Sequence, residues 1–280
     1  MFYCLNGDYH REEEKTMGPK NRAFRYGDAL FETIYASYTN CHFLEKHLER
    51  LIAGMKILSM EIPFGFNERL FVRKIQRLLH KNHHIKGARI RIAVFRNEGG
   101  LYTPTDNSIS YIIESEALKN TSYEINKQGY DIDIYPDMQR HYSLISSFKS
   151  SNCSLFTMSG IWRKKMNLDD CIILNDREEL CESVSSNIFL VKGSKIYTPS
   201  IKSGCVNGIM RNLVVDLLNE MNLEVDDNAV LKEEDLLEAD EVFLTNSITG
   251  IRKVLAFRKK RYYSFLVKEI HERLVENTNL

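Results

Sequence analysis

In this 280-residue chain, 38 lysines and arginines balance 38 aspartates and glutamates, and 43% of the residues are hydrophobic. That length builds one large domain or two modest ones, and the balanced charge argues against nucleic acid or a membrane surface as the main partner. No apolar run reaches the length of a membrane-spanning helix. The N-terminal MFYCLNGDYH lacks a basic segment followed by an apolar one, and the six cysteines (Cys4, Cys41, Cys153, Cys171, Cys181, Cys205) form no C-x-x-C pair. A cytoplasmic protein with free thiols and no metal site is therefore expected.

Residues 2–6 followed by Gly7-Asp8 suggest a short strand and turn, and the aromatic and β-branched run 29–37 a longer strand. Leu44, Leu48, Leu51, Ile52 and Met55 recur at helical spacing and predict an amphipathic helix ending before Pro63. A second helix is predicted over 67–80, through Leu70, Ile75, Leu78 and Leu79. Residues 88–95 alternate, with Arg89 and Arg91 on one face and Ile90, Ile92 and Val94 on the other, and another strand is expected at 110–115. The polar stretch 119–127 reads as a linker. Beyond it come a strand at 130–135, a helix at about 153–166, a strand at 171–174 and a hairpin over 187–197 turning at Gly193-Ser194. A helix over 208–221, a strand at 241–245 and a helix over roughly 263–275 complete the pattern. Two α+β domains are expected, a small one over 1–120 and a larger one over 121–280.

Ser146-Ser147-Phe148-Lys149-Ser150-Ser151-Asn152 presents one lysine among small polar residues. Glu182-Ser183-Val184-Ser185-Ser186-Asn187 presents a carboxylate opening a second such run before a strand. A pyridoxal 5'-phosphate (PLP) enzyme needs this pair: a lysine to hold the cofactor as a Schiff base, and a carboxylate at the ring nitrogen to keep the ring an electron sink. Leu144, Ile145 and Phe148 suggest partial burial, which favours the unprotonated, nucleophilic amine. Taken alone, Lys149 also fits a solvated surface amine, and Glu182 an acidic turn residue like Glu178 and Glu179.

Gly204-Cys205-Val206-Asn207-Gly208 directly precedes the helix over 208–221, whose first N–H groups are a natural phosphate site. An ordinary loop capped by Asn207 fits equally well. Arg50 could add a bidentate charge and Ser247 a hydroxyl, although Arg50 could as easily face solvent. Arg89 and Arg91 repel each other unless a substrate carboxylate, protein carboxylates or water lies beside them.

In order along the chain stand Phe24-Arg25-Tyr26-Gly27-Asp28-Ala29-Leu30-Phe31-Glu32-Thr33-Ile34, His47-Leu48-Glu49-Arg50-Leu51, Lys149, 182–187, Gly208-Ile209-Met210-Arg211 and Thr245-Asn246-Ser247. Together they resemble the class IV aminotransferases, the fold-type IV PLP enzymes, a family including branched-chain aminotransferase, D-amino acid aminotransferase and aminodeoxychorismate lyase. The resemblance spans nearly the whole chain. It implies a two-domain α+β fold with the cofactor in the interdomain cleft, the lysine carried by the C-terminal domain, and a homodimer whose partner helps close the site. It further implies Lys149 as the Schiff-base lysine, Glu182 at the pyridine nitrogen, and Arg50, the Ile209 and Met210 amides and Ser247 at the phosphate. Tyr26 and Arg91 match substrate-side positions, and Arg89 falls where branched-chain enzymes carry a tyrosine.

The departures from the family pattern cut both ways. The segments 206–211 and 245–247 look closer to the lyase. Gly99-Gly100, however, is followed by Leu101-Tyr102-Thr103-Pro104 rather than the arginine that the lyase often has there. Asn152, Cys153 and Ser154 stand where branched-chain enzymes place a tyrosine after the lysine. The leading expectation is amino transfer from a small amino acid to a 2-oxo acid. The alternatives are aminodeoxychorismate lyase, releasing pyruvate and 4-aminobenzoate, and a non-catalytic PLP- or phosphate-binding homologue.

Overall fold

The structure, a computed structural model, describes residues 1–278; Asn279 and Leu280, the end of the expected C-terminal domain, lie outside the described residues. The chain divides into two compact units, one of Met1–Ser122 with Phe148–Asn152, the other of Tyr123–Ser147 with the chain from Cys153 onward. Among the described residues no helix is long and apolar enough to cross a membrane.

The first unit contains β1 (Phe2–Leu5), β2 (Asp8–Arg11), α1 (Arg22–Tyr26), β3 (Ala29–Ser37), β4 (Asn40–Cys41), α2 (Leu44–Ile57), α3 (Glu68–Asn82), β5 (Gly87–Arg96) and β6 (Ile109–Leu118). Its six strands form one antiparallel sheet in the order β2-β1-β6-β5-β3-β4. The two expected helices form because their apolar stripes meet the sheet. Leu44, Leu48, Leu51 and Met55 of α2 and Phe71, Ile75, Leu78 and Leu79 of α3 are buried with Leu30, Ile34, Ile90, Ile92, Val94 and Ile113. Each such side chain contributes about 1.5–3 kcal/mol on burial. The Asn67 side chain caps α3 by accepting from the Leu70 N–H at 3.1 Å.

The placement of Lys149 differs from the expected one. Phe148–Asn152 belongs to the first unit because its backbone pairs with the start of β3. The Phe31 N–H donates to the Lys149 carbonyl at 2.8 Å, and the Ser151 N–H donates to the Ala29 carbonyl at 2.9 Å. Phe148 packs on the same apolar core as α2, where Gly54 leaves it room. A Cβ on Gly54 would stand 2.8 Å from Leu30 Cδ1 and 3.1 Å from Phe148 Cδ1.

The second unit contains β7 (Tyr130–Ile134), α4 (Ser154–Lys165), β8 (Asp170–Leu174), β9 (Leu180–Ser183), β10 (Asn187–Lys192), β11 (Lys195–Pro199), α5 (Ile209–Glu220), β12 (Glu224–Ala229), α6 (Glu233–Glu238), β13 (Glu241–Asn246), β14 (Gly250–Phe257), β15 (Lys260–Arg261) and α7 (Phe265–Thr278). Its sheet runs β12-β11-β10-β13-β14-β7-β8-β9, with β15 paired to β14. The pairs β11–β12, β14–β7 and β7–β8 are parallel. The core of one face joins Ile132, Ile172, Ile188, Leu190, Val242, Leu244 and Val254 to Leu236 of α6. The expected hairpin is β10–β11, where Lys192 faces Lys195 across the Gly193-Ser194 turn. The buried Glu241 carboxylate accepts from the Phe265, Leu266 and Val267 N–H groups and so fixes the start of α7.

Several elements escape the sequence reading. In β14, Arg252 and Lys253 interrupt the apolar run, and β12 is an acid-rich edge strand. The expected strand at 110–115 extends to Leu118. Substituting Gly54→Leu should displace Phe148 and lower stability by about 1–3 kcal/mol. Chemical denaturation would read that loss, and faster amide hydrogen exchange at Phe31 and Ser151 would locate it.

Candidate functional site

Two clusters of polar side chains stand out, one in each unit. In the first unit, β3 sorts its side chains by alternation. Phe31 points to one side of the sheet, and Glu32 is turned into the core with Leu30 and Ile34. Lys149 Nζ lies 5.0 Å from the centroid of the Phe31 ring, and the Arg91 guanidinium carbon lies 3.7 Å from the same centroid. Arg91 faces Thr33 and Glu114 across the sheet, and Arg89 faces Tyr35 and Glu116. Long ion pairs, Arg91 to Glu114 at 3.9 Å and Arg89 to Glu116 at 3.7 Å, relieve the repulsion between the two cations. Both glutamates are more than half exposed, so these pairs are weak. Tyr26, the last residue of α1, packs against Tyr102 at 5.6 Å beneath the Arg22 guanidinium.

Glu32 is 1% exposed, yet it is fully paired. Arg50 donates to it through Nε at 2.8 Å and Nη2 at 2.5 Å, and His47 Nδ1 lies 2.7 Å away on Oε2. Burial pushes this carboxyl upward, but the Arg50 charge and the hydrogen bonds from His47 and Arg50 outweigh it and hold it down at about 2. Burial lowers His47 and favours its neutral imidazole, in which Nδ1–H is the donor to Glu32; among the described residues its buried Nε2 has no hydrogen-bond partner.

In the second unit Glu182, 4% exposed at the end of β9, is the centre. Arg140 Nε lies 2.9 Å from Oε1, and the Val206 N–H donates to Oε2 at 3.2 Å. Arg140 donates its Nε–H to the Gly204 carbonyl at 2.5 Å and an Nη2–H to the Ser146 carbonyl at 2.8 Å, with its guanidinium over the Phe156 ring. This one cation therefore ties the carboxylate to the loop leading into α5. That loop is held again by Asn187, whose Nδ2 donates to the Val206 carbonyl at 2.9 Å. A Cβ on residue 208 would stand 1.9 Å from Asn187 Oδ1, so only glycine fits. Helix α5 then starts at Ile209 with Gly208 as its N-cap and no side-chain cap, leaving its first amides available to an anion. The loop capped by Asn207 considered from sequence is not what forms.

Ser247 sits in a loop organised by its neighbour Asn246, whose Oδ1 accepts from the Ile248 and Thr249 N–H groups and the Thr249 hydroxyl. Asn246 Nδ2 donates to Ser186 Oγ at 2.9 Å, and the Ser183 hydroxyl donates to the buried Asp170 at 2.9 Å. The run 182–187 and the loop 246–249 are thus wired together. At the end of β13, opposite Asn187, the Thr245 hydroxyl is buried without a partner among the described residues.

Sequence reasoning missed that Glu32 and His47 form a buried hydrogen-bonded group with Arg50, and it missed Arg140 entirely. An acid between Leu30 and Ile34 on the apolar phase of a strand was a signal for Glu32; Arg140 lies outside any helix or strand and has no pattern to betray it. Among the described residues no His, Cys, Asp and Glu group could hold a metal ion.

The first unit's buried carboxylate makes a pH prediction. Its folded pKa of about 2 lies below the ordinary 4.5, so its contribution is complete above 4.5 and is lost as pH falls toward 2. The lowered His47 acts in the same sense from 6.5 downward, because protonating it destabilises the fold. Glu32→Gln should cost about 3–5 kcal/mol at neutral pH, since it strands a buried guanidinium. It should also flatten the fall in stability below pH 4.5, as read by urea denaturation across the acid range.

The sequence model described as Amino-transferase class IV matches residues 29–257. A Thermotoga maritima protein named probable branched-chain-amino-acid aminotransferase is 36% identical over 270 residues, covering 96% of this chain and 90% of its own. Aminodeoxychorismate lyase of Bacillus subtilis (strain 168) is 29% identical over 259 residues, covering 90% and 84%. Among solved structures, the branched-chain aminotransferase of Thermoproteus uzoniensis with norvaline aligns with a TM-score of 0.87 at 19% identity, over 98% of this chain and 93% of that one. The likeness bears out the expected α+β, fold-type IV architecture. With more than half of its length matched by one family, the chain belongs to the class IV aminotransferases.

Proposed function

We propose that this protein is a PLP-dependent aminotransferase that moves an amino group from a small, branched-chain-type amino acid to a 2-oxo acid. The observation that carries this reading is the shared Phe31 ring, with Lys149 Nζ at 5.0 Å and the Arg91 guanidinium at 3.7 Å from one centroid. An amine for the α-carbon and a cation for the α-carboxylate are what an amino acid substrate requires. The 36% identity to the Thermotoga protein adds the branched-chain preference.

When bound, the cofactor supplies an aldehyde for the amine and a ring that accepts the electron pair released at the α-carbon. Lys149 would hold the aldehyde, and its free Nζ would take the α-proton and return it. Glu182, with the Arg140 guanidinium 2.9 Å from its Oε1, would face the ring nitrogen and hold the proton there. The phosphate falls to Arg50, the Ile209 and Met210 amides and the Ser247 hydroxyl, and the uncapped start of α5 supports that assignment. Arg91 binds the substrate carboxylate, with Tyr26 and Arg89 contributing on the substrate side. The protein works in the cytoplasm as a homodimer whose partner helps close the site.

A second reading, aminodeoxychorismate lyase, is favoured by the Bacillus relative and by the segment 206–211. PLP-loaded protein mixed with branched-chain amino acids and 2-oxoglutarate should release the matching oxo acids, and Lys149→Ala should lower that rate by at least about a hundredfold. Pyruvate formed from aminodeoxychorismate, with no oxo acid from any amino acid, would replace the transferase by the lyase.

A further inference from the structure

Arg50 is not a solvated cation waiting for an anion. It is 8% exposed, and Glu32 grips both its Nε and its Nη2. Glu32 is in turn fixed from the other side by His47 Nδ1, one helical turn before Arg50 on the same face of α2. The three side chains come from two elements, β3 and α2, locked together by the apolar residues around them. Such a buried ionic group is poorly suited to stabilise a fold, because apolar residues of similar volume often do as well or better. What the arrangement provides is direction. A carboxylate that clamps one edge of a guanidinium leaves that planar group a single orientation, where an exposed arginine samples many.

We propose that Glu32 and His47 are positioning residues that pre-set the Arg50 guanidinium for the phosphate of the cofactor, with His47 steadying Glu32 and Glu32 steadying Arg50. The inference rests on the reading of Arg50 as a phosphate ligand. It assigns function to two residues that touch neither the substrate nor the reacting atoms. The buried Nε2 of His47, with no partner of its own among the described residues, fits an imidazole used through Nδ1 alone. An asparagine there keeps an N–H donor, and a leucine does not.

The experiment compares PLP with pyridoxal, which lacks the phosphate, as ligands of cofactor-free protein, using absorbance titration on the wild type and the variants Arg50→Ala, Glu32→Gln, His47→Leu and His47→Asn. Glu32→Gln and His47→Leu should weaken PLP by at least about tenfold while leaving pyridoxal within about twofold of wild type. His47→Asn should restore PLP binding toward wild type. Far-ultraviolet circular dichroism confirms that each variant is folded, and if Glu32→Gln does not fold, the His47 pair decides. PLP affinity that is unchanged in His47→Leu, or PLP and pyridoxal weakened equally, would overturn the proposal. An Arg50→Ala variant that binds PLP as tightly as wild type would instead remove the phosphate role of Arg50 and the proposal with it. Selective PLP loss in Arg50→Ala without loss in Glu32→Gln or His47→Leu would remove the positioning role alone.

Discussion

Taking a carboxylate out of water costs several kcal/mol unless a cation and enough hydrogen-bond donors come with it. Each unit of this chain meets that constraint with an arginine at a buried glutamate, Glu32 with Arg50 in the first and Glu182 with Arg140 in the second. Arg50 donates to Glu32 through both Nε and Nη2, which fixes the guanidinium plane, whereas Arg140 sits 2.9 Å from Glu182 as a charge and spends its Nε–H on the Gly204 carbonyl. The surrounding structure follows from satisfying these pairs. His47 is placed one turn before Arg50 to give Glu32 a further donor, and the Val206 amide does the same for Glu182. Neither carboxylate is located by packing alone, and the donors around each one specify where it points.

Strand β3 turns that constraint into a division of labour. Because successive side chains alternate, Glu32 faces the helices while Phe31, its neighbour, faces away and gathers Lys149 and Arg91 on its ring. The same strand receives the backbone of Phe148–Asn152 through the Phe31 and Ala29 peptide groups. The position of Lys149 is therefore set by main-chain pairing, and its side chain does not have to anchor the segment that carries it. A one-residue slip of β3 would exchange the two faces and put the carboxylate where the ring belongs. The nine-residue pairing of β3 with β5 guards against that slip.

What the sequence revealed depended on whether a residue's partners lay within reach of a local pattern. The helices α2, α3, α5 and α7 were legible because their apolar stripes repeat every turn. Lys149, Glu182 and the glycine-rich approach to α5 stood out as candidates because small polar residues cluster around them in sequence. Arg140 was not, because its partners Ser146, Glu182 and Gly204 converge on it from separate parts of the chain. The attachment of Phe148–Asn152 to the first unit was hidden for the same reason, since its pairing partner is more than a hundred residues earlier. Strands β12 and β14 were hidden differently: acidic residues on an edge and cations within the strand erase the alternation that marks a half-buried strand.

Polar positions away from the two ion pairs are wired by neutral groups. Asp170 is buried and accepts from the Ser183 hydroxyl and the Cys171 and Val184 amides, and burial raises its carboxyl above the usual range. Ser183 passes the connection to the Ser186 amide, and Ser186 to Asn246. The thiols of Cys181 and Cys205 beside Glu182 are likewise kept protonated, Cys205 being pushed by burial to about 12. Neutral thiols add no charge to the site, so the pairing with Arg140 and the Val206 amide keeps its hold on the Glu182 carboxylate.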